Sequence, residues 1–322
     1  MKPIILITRI VPEEPLAPLY ELGEVKIWDG PSVMPRERLL EEISEATALF
    51  CVAVRVDEEL LSRAPRLKVV SNFGVGYDNI DVEAATARKI IVTNAPDVVT
   101  GATADLTAAL ILCAARRIVE AANYTRERRW RGWDADLMRG NDVHGKTLGL
   151  IGLGRIGRAV ARRMLGFDMK VVYYDVRRDV DIENRLGISY VNFHEVFRVS
   201  DFVSVHVPLS PETRKLIGAR EFSLMKPGAY FINAARGGVV DYDALREALE
   251  NRTIAGAAVD VMPNEPPSPD DPLLGLPNLL VTPHIGTATI ETRRAMTAVV
   301  VRNIVAVLKG EAPPNWVNKD RF

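Results

Sequence analysis

The stretch LGLIGLGRIGRAVARRM, residues 148–164, sets an apolar run, three glycines in the spacing Gly-x-Gly-x-x-Gly and an amphipathic run one after another. A second apolar run, KVVYYD, follows and ends in Asp175. A strand that turns into a helix and is followed by another strand returns most simply as a right-handed parallel βαβ unit, so this one segment predicts a parallel sheet covered by helices. The bare glycine string is a weak signal. Its place after a strand and before a helix, with an acidic residue about twenty positions on, makes it the dinucleotide-binding fingerprint. Gly152 permits the tight turn, Gly154 lets a pyrophosphate approach the backbone, and Gly157 lets helix and sheet pack closely. The helix amino end offers N–H groups and a positive dipole to phosphate, with Arg155 as an extra charge. Asp175 would accept hydrogen bonds from the adenosine ribose and repel a 2′-phosphate, which favours NAD. Arg177 and Arg178 beside it are what would admit NADP, although solvated loop arginines are their simpler reading.

The same alternation fills the rest of the chain. Up to residue 94, the runs IILITRI, EVKIW, ALFCVAV, LKVVS and KIIVTN alternate with helix-like stretches such as PRERLLEEIS and DVEAATARK. From residue 147 it restarts, with TLGLIG, KVVYYD, FVSVHV, AYFINA, IAGAAVD and NLLVTPH as strands. Two rounds of alternation in 322 residues predict the α/β class, with two doubly wound parallel-sheet domains, one Rossmann-type and one flavodoxin-like. The pattern TGATADLTAALILCAARRIVEAANYTRERRW reads as one long joining helix capped by Thr100 or Thr103. The last helical pattern, ATIETRRAMTAVVVRNIVAVLKG, reaches back to the first unit. Residues 1–98 with 289–322 are therefore expected to form one discontinuous domain, and residues 99–288 the dinucleotide-binding one.

Lysine and arginine number 41 against 42 aspartates and glutamates, a net charge of −1 that leaves no basic footprint for nucleic acid or an anionic membrane. No apolar segment runs uninterrupted for the ~18 residues a membrane span requires. The opening MKPIILITRIVPEEP is broken by Arg9, Glu13 and Glu14 before a signal-peptide core forms. Cys51 and Cys113 lie in apolar runs and fit thiols in a reducing, cytoplasmic compartment. His144, His194, His206 and His284 are far apart, and no Cys/His spacing suggests zinc, so no metal is expected. Small molecules and further copies of the chain remain as partners.

Ligands of open parallel sheets bind beyond the carboxyl ends of the strands. Three such ends, INAARGGVVD, AAVDVMPNEPP and VTPHIGTAT, carry polar residues. Arg236 is a fixed cation suited to gripping a carboxylate and polarising a carbonyl. His284 carries an imidazole, the side chain best suited to general acid or base work. Glu265 is a carboxylate that would orient that imidazole and favour its charged form. Singly, a structural ion pair, a satisfied strand-end histidine and a solvated loop acid explain them as well.

Together with VVSNFGVGYDNID, TGATADLTAALILCAARR, GKTLGLIGLGRIGRAVA, HVPLSPET, NAARGGVVD, VDVMPNEPP and TPHIGTAT in this order, they resemble the D-2-hydroxyacid dehydrogenase family over nearly the whole chain. ATADLTAALIL and PPNWVN look most like its glyoxylate and hydroxypyruvate reductase branch, which also contains 2-ketogluconate reductases. The resemblance implies reduction of a small 2-oxo acid by NAD(P)H, with His284 as proton donor, Arg236 on carbonyl and carboxylate, and Glu265 keeping His284 protonated. It implies a substrate carboxylate on the N–H groups of Val75 and Gly76 in the discontinuous domain, where the run FCVAVRVDEE offers a small apolar wall around Val54 that would set specificity. It places Asp260 on the nicotinamide carboxamide, His206, Pro208 and Thr213 about the adenine, and Ile156, Ala234 and Gly286 along the cofactor. It also implies a homodimer, with Trp130 and Trp133 in a packing segment. A phosphoglycerate dehydrogenase and a non-catalytic dinucleotide sensor share these motifs and are the alternatives.

Overall fold

Five short strands, β1 (Ile4–Ile7), β2 (Glu24–Ile27), β3 (Ala48–Cys51), β4 (Val69–Asn72) and β5 (Ile91–Thr93), pair in parallel in the order β2-β1-β3-β4-β5. They belong to a computed structural model that describes residues 2–322. Helices α1 (Ala17–Leu22), α2 (Arg36–Glu42), α3 (Glu58–Ser62) and α4 (Val82–Ala87) connect them. Successive side chains of a strand point to opposite faces, so Leu6, Leu49 and Val70 enter one core while Ile5, Ile7, Phe50 and Val69 enter another. Both faces are covered, as an all-parallel sheet requires.

The second sheet follows α5 (Thr100–Arg116) and α6 (Ile118–Arg126). In chain order it is built from β6 (Thr147–Ile151), α7 (Arg155–Leu165), β7 (Lys170–Tyr174), α8 (Val180–Leu186) and β8 (Ser189–Tyr190). Next come α9 (Phe193–Val199), β9 (Phe202–Val205), α10 (Ala219–Leu224), β10 (Tyr230–Asn233), α11 (Tyr242–Glu250), β11 (Gly256–Val259) and β12 (Leu279–Val281). The seven strands are all parallel, in the order β12-β11-β10-β9-β6-β7-β8. Strand order reverses between β6 and β9, which opens a crevice for ligands there. Finally α12 (Ile290–Leu308), capped by Thr289, packs Val299, Val300 and Ile304 into the first sheet's core with Ile5 and Phe50. The chain divides into two compact units, residues up to Val99 with Thr287–Phe322, and Thr100–Gly286.

The α/β class and both doubly wound parallel sheets are as the sequence predicts. The single long helix expected from Thr100 is instead two. Arg117 adopts a left-handed conformation, φ 52°, and ends α5. Its continuation, α6, buries no residue, so no core contact holds it in line with α5. Periodicity also misses α1, α3, α8 and β8, because one or two turns are too short to show a 3.6-residue repeat. Asp57 and Asp179 cap α3 and α8 by accepting the N–H groups of Leu60 and Ile182. Pro18 stands in the first turn of α1, where a missing N–H costs nothing.

Candidate active site

The glycine turn lies between the end of β6 and the start of α7. Gly152 has φ +98°, and a Cβ there would sit 2.8 Å from the carbonyl oxygen of His206, so strain and collision both demand glycine. A Cβ on Gly157 would lie 2.3 Å from the Gly152 oxygen, which shows how closely α7 rides on the turn. Gly154 is different: a Cβ there meets nothing within 4 Å. The protein itself does not need that glycine, and the open space above it suits the close approach of a phosphate. Arg155 is exposed at the first position of α7, and Ile156 packs against the core behind it.

Asp175 stands just past β7. Its carboxylate accepts from the Leu153 N–H at 2.7 Å and the Arg177 N–H at 3.2 Å, which fastens the turn to the neighbouring strand. Arg158, which sequence reasoning passed over, donates to the Leu153 carbonyl at 2.8 Å and to Asp179 at 2.7 Å. Between them opens a cavity of about 540 Å³, lined by Gly154, Arg158, Asp175, Arg177, Arg178 and Asp179. Volume, open glycine and acceptor together fit the adenosine half of a dinucleotide. Arg178 makes a two-point pair with Glu183, at 2.9 and 2.8 Å, and lies 5.6 Å from the Tyr190 ring centroid. Its donors are thus turned toward Glu183.

His206 follows β9, its Nε2 2.9 Å from the Ser204 hydroxyl. Desolvation lowers its pKa to about 4. The unfolded chain, whose histidine titrates near ~6.5, takes up a proton that the folded chain refuses. Stability is therefore complete above that value and falls as pH drops toward the folded pKa. The urea midpoint should reveal a loss of about 1–2 kcal/mol between about pH 7.5 and 5, absent in His206→Gln; parallel losses in both proteins would clear His206 of the effect. Pro208 is exposed, and its carbonyl accepts the Thr213 hydroxyl at 2.6 Å, so Thr213 closes this loop on itself. Ala234, after β10, is half-buried against the core.

The carboxyl ends of β10, β11 and β12 hold the titratable groups. Asn233, fully buried, accepts the Ala235 N–H at 3.0 Å and donates to the Arg236 carbonyl at 3.0 Å, a turn that presents the Arg236 side chain. Sequence reasoning missed Asn233, although a strand-end Asn two residues before an N–H it binds is a known turn signal. A Cβ on Gly237 would fall 2.2 Å from the Met262 backbone, and the Met262 N–H in turn donates to Glu265 at 3.0 Å. The Arg236 and Glu265 loops are thereby interlocked. Asp260, 2% exposed, accepts from the Thr282 hydroxyl at 2.6 Å and from the N–H groups of Ile285 and Gly286 at 2.8 and 2.7 Å. It shapes the loop on which His284, at φ 52°, is displayed.

His284 Nδ1 lies 2.5 Å from Glu265 Oε2. Burial works against ionising Glu265, but hydrogen bonds from His284 and the Met262 N–H, with the charges of His284 and Arg236, hold its carboxyl below the ordinary range. The result is a partly exposed imidazole whose Nδ1 is held by an ionised carboxylate, with a guanidinium charge close by. A group so arranged can give or take a proton at Nε2.

In the first unit, Val75 and Gly76 lie in the loop after β4, both half-buried. The Val54 side chain, expected in an apolar wall, is 5% exposed within the core, and its carbonyl accepts from Asn79 at 2.8 Å.

The model of the D-isomer specific 2-hydroxyacid dehydrogenase NAD-binding domain matches residues 108–286. A curated glyoxylate reductase of Thermococcus litoralis is 47% identical over 325 residues, covering 99% of this chain and 98% of that protein. A solved protein of Thermus thermophilus superposes with a TM-score of 0.91 at 44% identity, over 98% of this chain and 99% of that one. The NADPH-dependent glyoxylate/hydroxypyruvate reductase of Sinorhizobium meliloti, solved with NADP and malonate, gives 0.87 at 34% identity, over 100% and 98%. The matched segment carries the glycine turn, Arg236, Glu265 and His284, and the chain belongs to the NAD-binding D-isomer specific 2-hydroxyacid dehydrogenases.

Proposed function

We propose that this protein reduces a small 2-oxo acid, glyoxylate or hydroxypyruvate, to the D-2-hydroxy acid, with NADH preferred. The observation that carries the reading is the His284–Glu265 contact at 2.5 Å beside Arg236, on a domain whose glycine turn suits a dinucleotide. The turn of Gly152, Gly154 and Gly157 with Arg155 and Ile156 would hold the pyrophosphate, Asp175 the ribose, and His206, Pro208 and Thr213 the adenine side. Ala234, Asp260 and Gly286 would border the nicotinamide. When bound, the reduced dinucleotide supplies the hydride that adds to the 2-oxo carbon. Arg236 grips the substrate's carboxylate and carbonyl and steadies the charge developing on oxygen. His284 gives that oxygen a proton from Nε2 and is left neutral, while Glu265 keeps Nδ1–H and so the ring in place. Val75 and Gly76 offer N–H groups to the carboxylate, and Val54 fixes a neighbouring stretch of backbone.

Asp175 repels a 2′-phosphate and Arg178 is engaged by Glu183, which together support NAD over NADP. Trp130 and Trp133, 61% and 89% exposed, are large apolar surfaces that support a homodimer through their segment. Two free cysteines, Cys51 and Cys113, support a cytoplasmic setting. Among the described residues no helix is long and apolar enough to cross a membrane.

The test follows NADH and NADPH oxidation with glyoxylate, hydroxypyruvate, 2-ketogluconate, pyruvate and phosphohydroxypyruvate. Turnover on glyoxylate or hydroxypyruvate is expected, with NADH favoured by about tenfold, the factor given by ~1.4 kcal/mol of repulsion. Tight dinucleotide binding without turnover on any of them would replace the reductase with a sensor.

A further inference from the structure

In the first unit, three consecutive carbonyl oxygens of the loop after β4 are all occupied by the scaffold. Gly74 O accepts the Ala95 N–H at 2.9 Å, Val75 O accepts Asn94 Nδ2 at 2.8 Å, and Gly76 O accepts Asn72 Nδ2 at 2.6 Å. Asn72 is the last residue of β4 and 6% exposed, and Asn94 directly follows β5, so both amides are set by neighbouring strands of one sheet. Asn79 completes the set, donating to Val54 O at 2.8 Å and to Asn72 Oδ1 at 3.4 Å. Among the described residues, the N–H groups of Val75 and Gly76 meet no acceptor.

A peptide group whose oxygen is pinned cannot rotate its N–H freely, because the two are opposed across one rigid plane. Pinning successive oxygens on the protein side therefore turns successive N–H groups the other way. Such a row of backbone donors binds an anion at little reorganisation cost. We infer that Asn94 is a positioning residue for substrate: by capping Val75 O, which shares a peptide plane with the Gly76 N–H, it holds that N–H ready for the carboxylate of a 2-oxo acid, while the Ala95 N–H on Gly74 O sets the Val75 N–H in the same way and Asn72 on Gly76 O fixes the peptide that follows. This rests on the reductase reading above.

The two amides touch no reacting atom, so their effect should fall on substrate binding. Asn94→Asp keeps size and shape but loses the donor, and Asn94→Ala removes the side chain without adding charge. Both should raise KM for glyoxylate about tenfold while kcat stays within about twofold and the NADH dissociation constant is unchanged, the pattern of lost uniform binding. An unchanged KM with only a lowered melting temperature would overturn the inference, as would a fall in kcat at constant KM. The backbone ¹⁵N–¹H resonances of Val75 and Gly76, titrated with oxamate in the presence of NADH, give a second readout that does not need turnover. Shifts at both in the wild type that require about tenfold more oxamate in Asn94→Ala support the inference; no shift overturns it. If the wild type turns over no 2-oxo acid, the reductase reading fails by itself, and the oxamate titration still decides whether Asn94 prepares this loop for a carboxylate.

Discussion

Replacing His284 by alanine is expected to lower kcat for 2-oxo acid reduction by about 10²- to 10⁴-fold, the usual contribution of a positioned general acid, or ~3–5 kcal/mol of barrier. Affinity for NADH should be unaffected, because the imidazole is held by Glu265 rather than by the glycine turn. His284→Gln should lose as much, since an amide fills the space and cannot carry the proton. Stopped-flow measurement of hydride transfer, with NADH binding followed by fluorescence, separates the two effects. A kcat within a few-fold of wild type would remove His284 from the chemistry. The carboxylate partner adds a pH signature. Glu265 is held below the ordinary range, so its charge persists at neutral and mildly acidic pH and is lost only as pH falls through that lowered value. Any acid limb due to Glu265 should therefore lie below ~4.3, the ordinary glutamate pKa.

The second large effect is expected at Arg236. Its charge is one of those that hold Glu265 ionised, and its backbone is fixed by Asn233 and by the close approach of Gly237 to Met262. Arg236→Lys keeps the charge and loses the planar fork, which an ammonium cannot reproduce on a carboxylate. One charge-assisted contact of about 1.5–3 kcal/mol predicts a loss of roughly 10- to 100-fold in kcat/KM, shared between KM and kcat because carboxylate and developing oxyanion are both held. Steady-state kinetics with glyoxylate measures it directly. Unchanged kcat and unchanged KM would make Arg236 a structural cation only.

The order of elements was written in local chemistry. Alternating β-branched runs and amphipathic stretches imply parallel sheets, and a turn that only glycine can make, followed by Asp175, implies a dinucleotide. The family's own motifs around Arg236, Glu265 and His284 were equally local, each a few residues at one strand end. Short elements such as α8 and β8 escaped because they bury too little surface to impose a period.

What the linear chain determined is which residues sit at strand ends and which faces are apolar, because periodicity and turn chemistry act over a few residues. What only the tertiary structure decided is what those residues touch. Glu265 and His284 are brought together because β11 and β12 pair, and Arg178 is drawn to Glu183 by the way the chain folds around α8. Asn72 and Asn94 converge on one loop because β4 pairs with β5. Such contacts join residues up to some twenty positions apart through strand register and loop closure, and those are set by the packing of the whole sheet rather than by any stretch read alone.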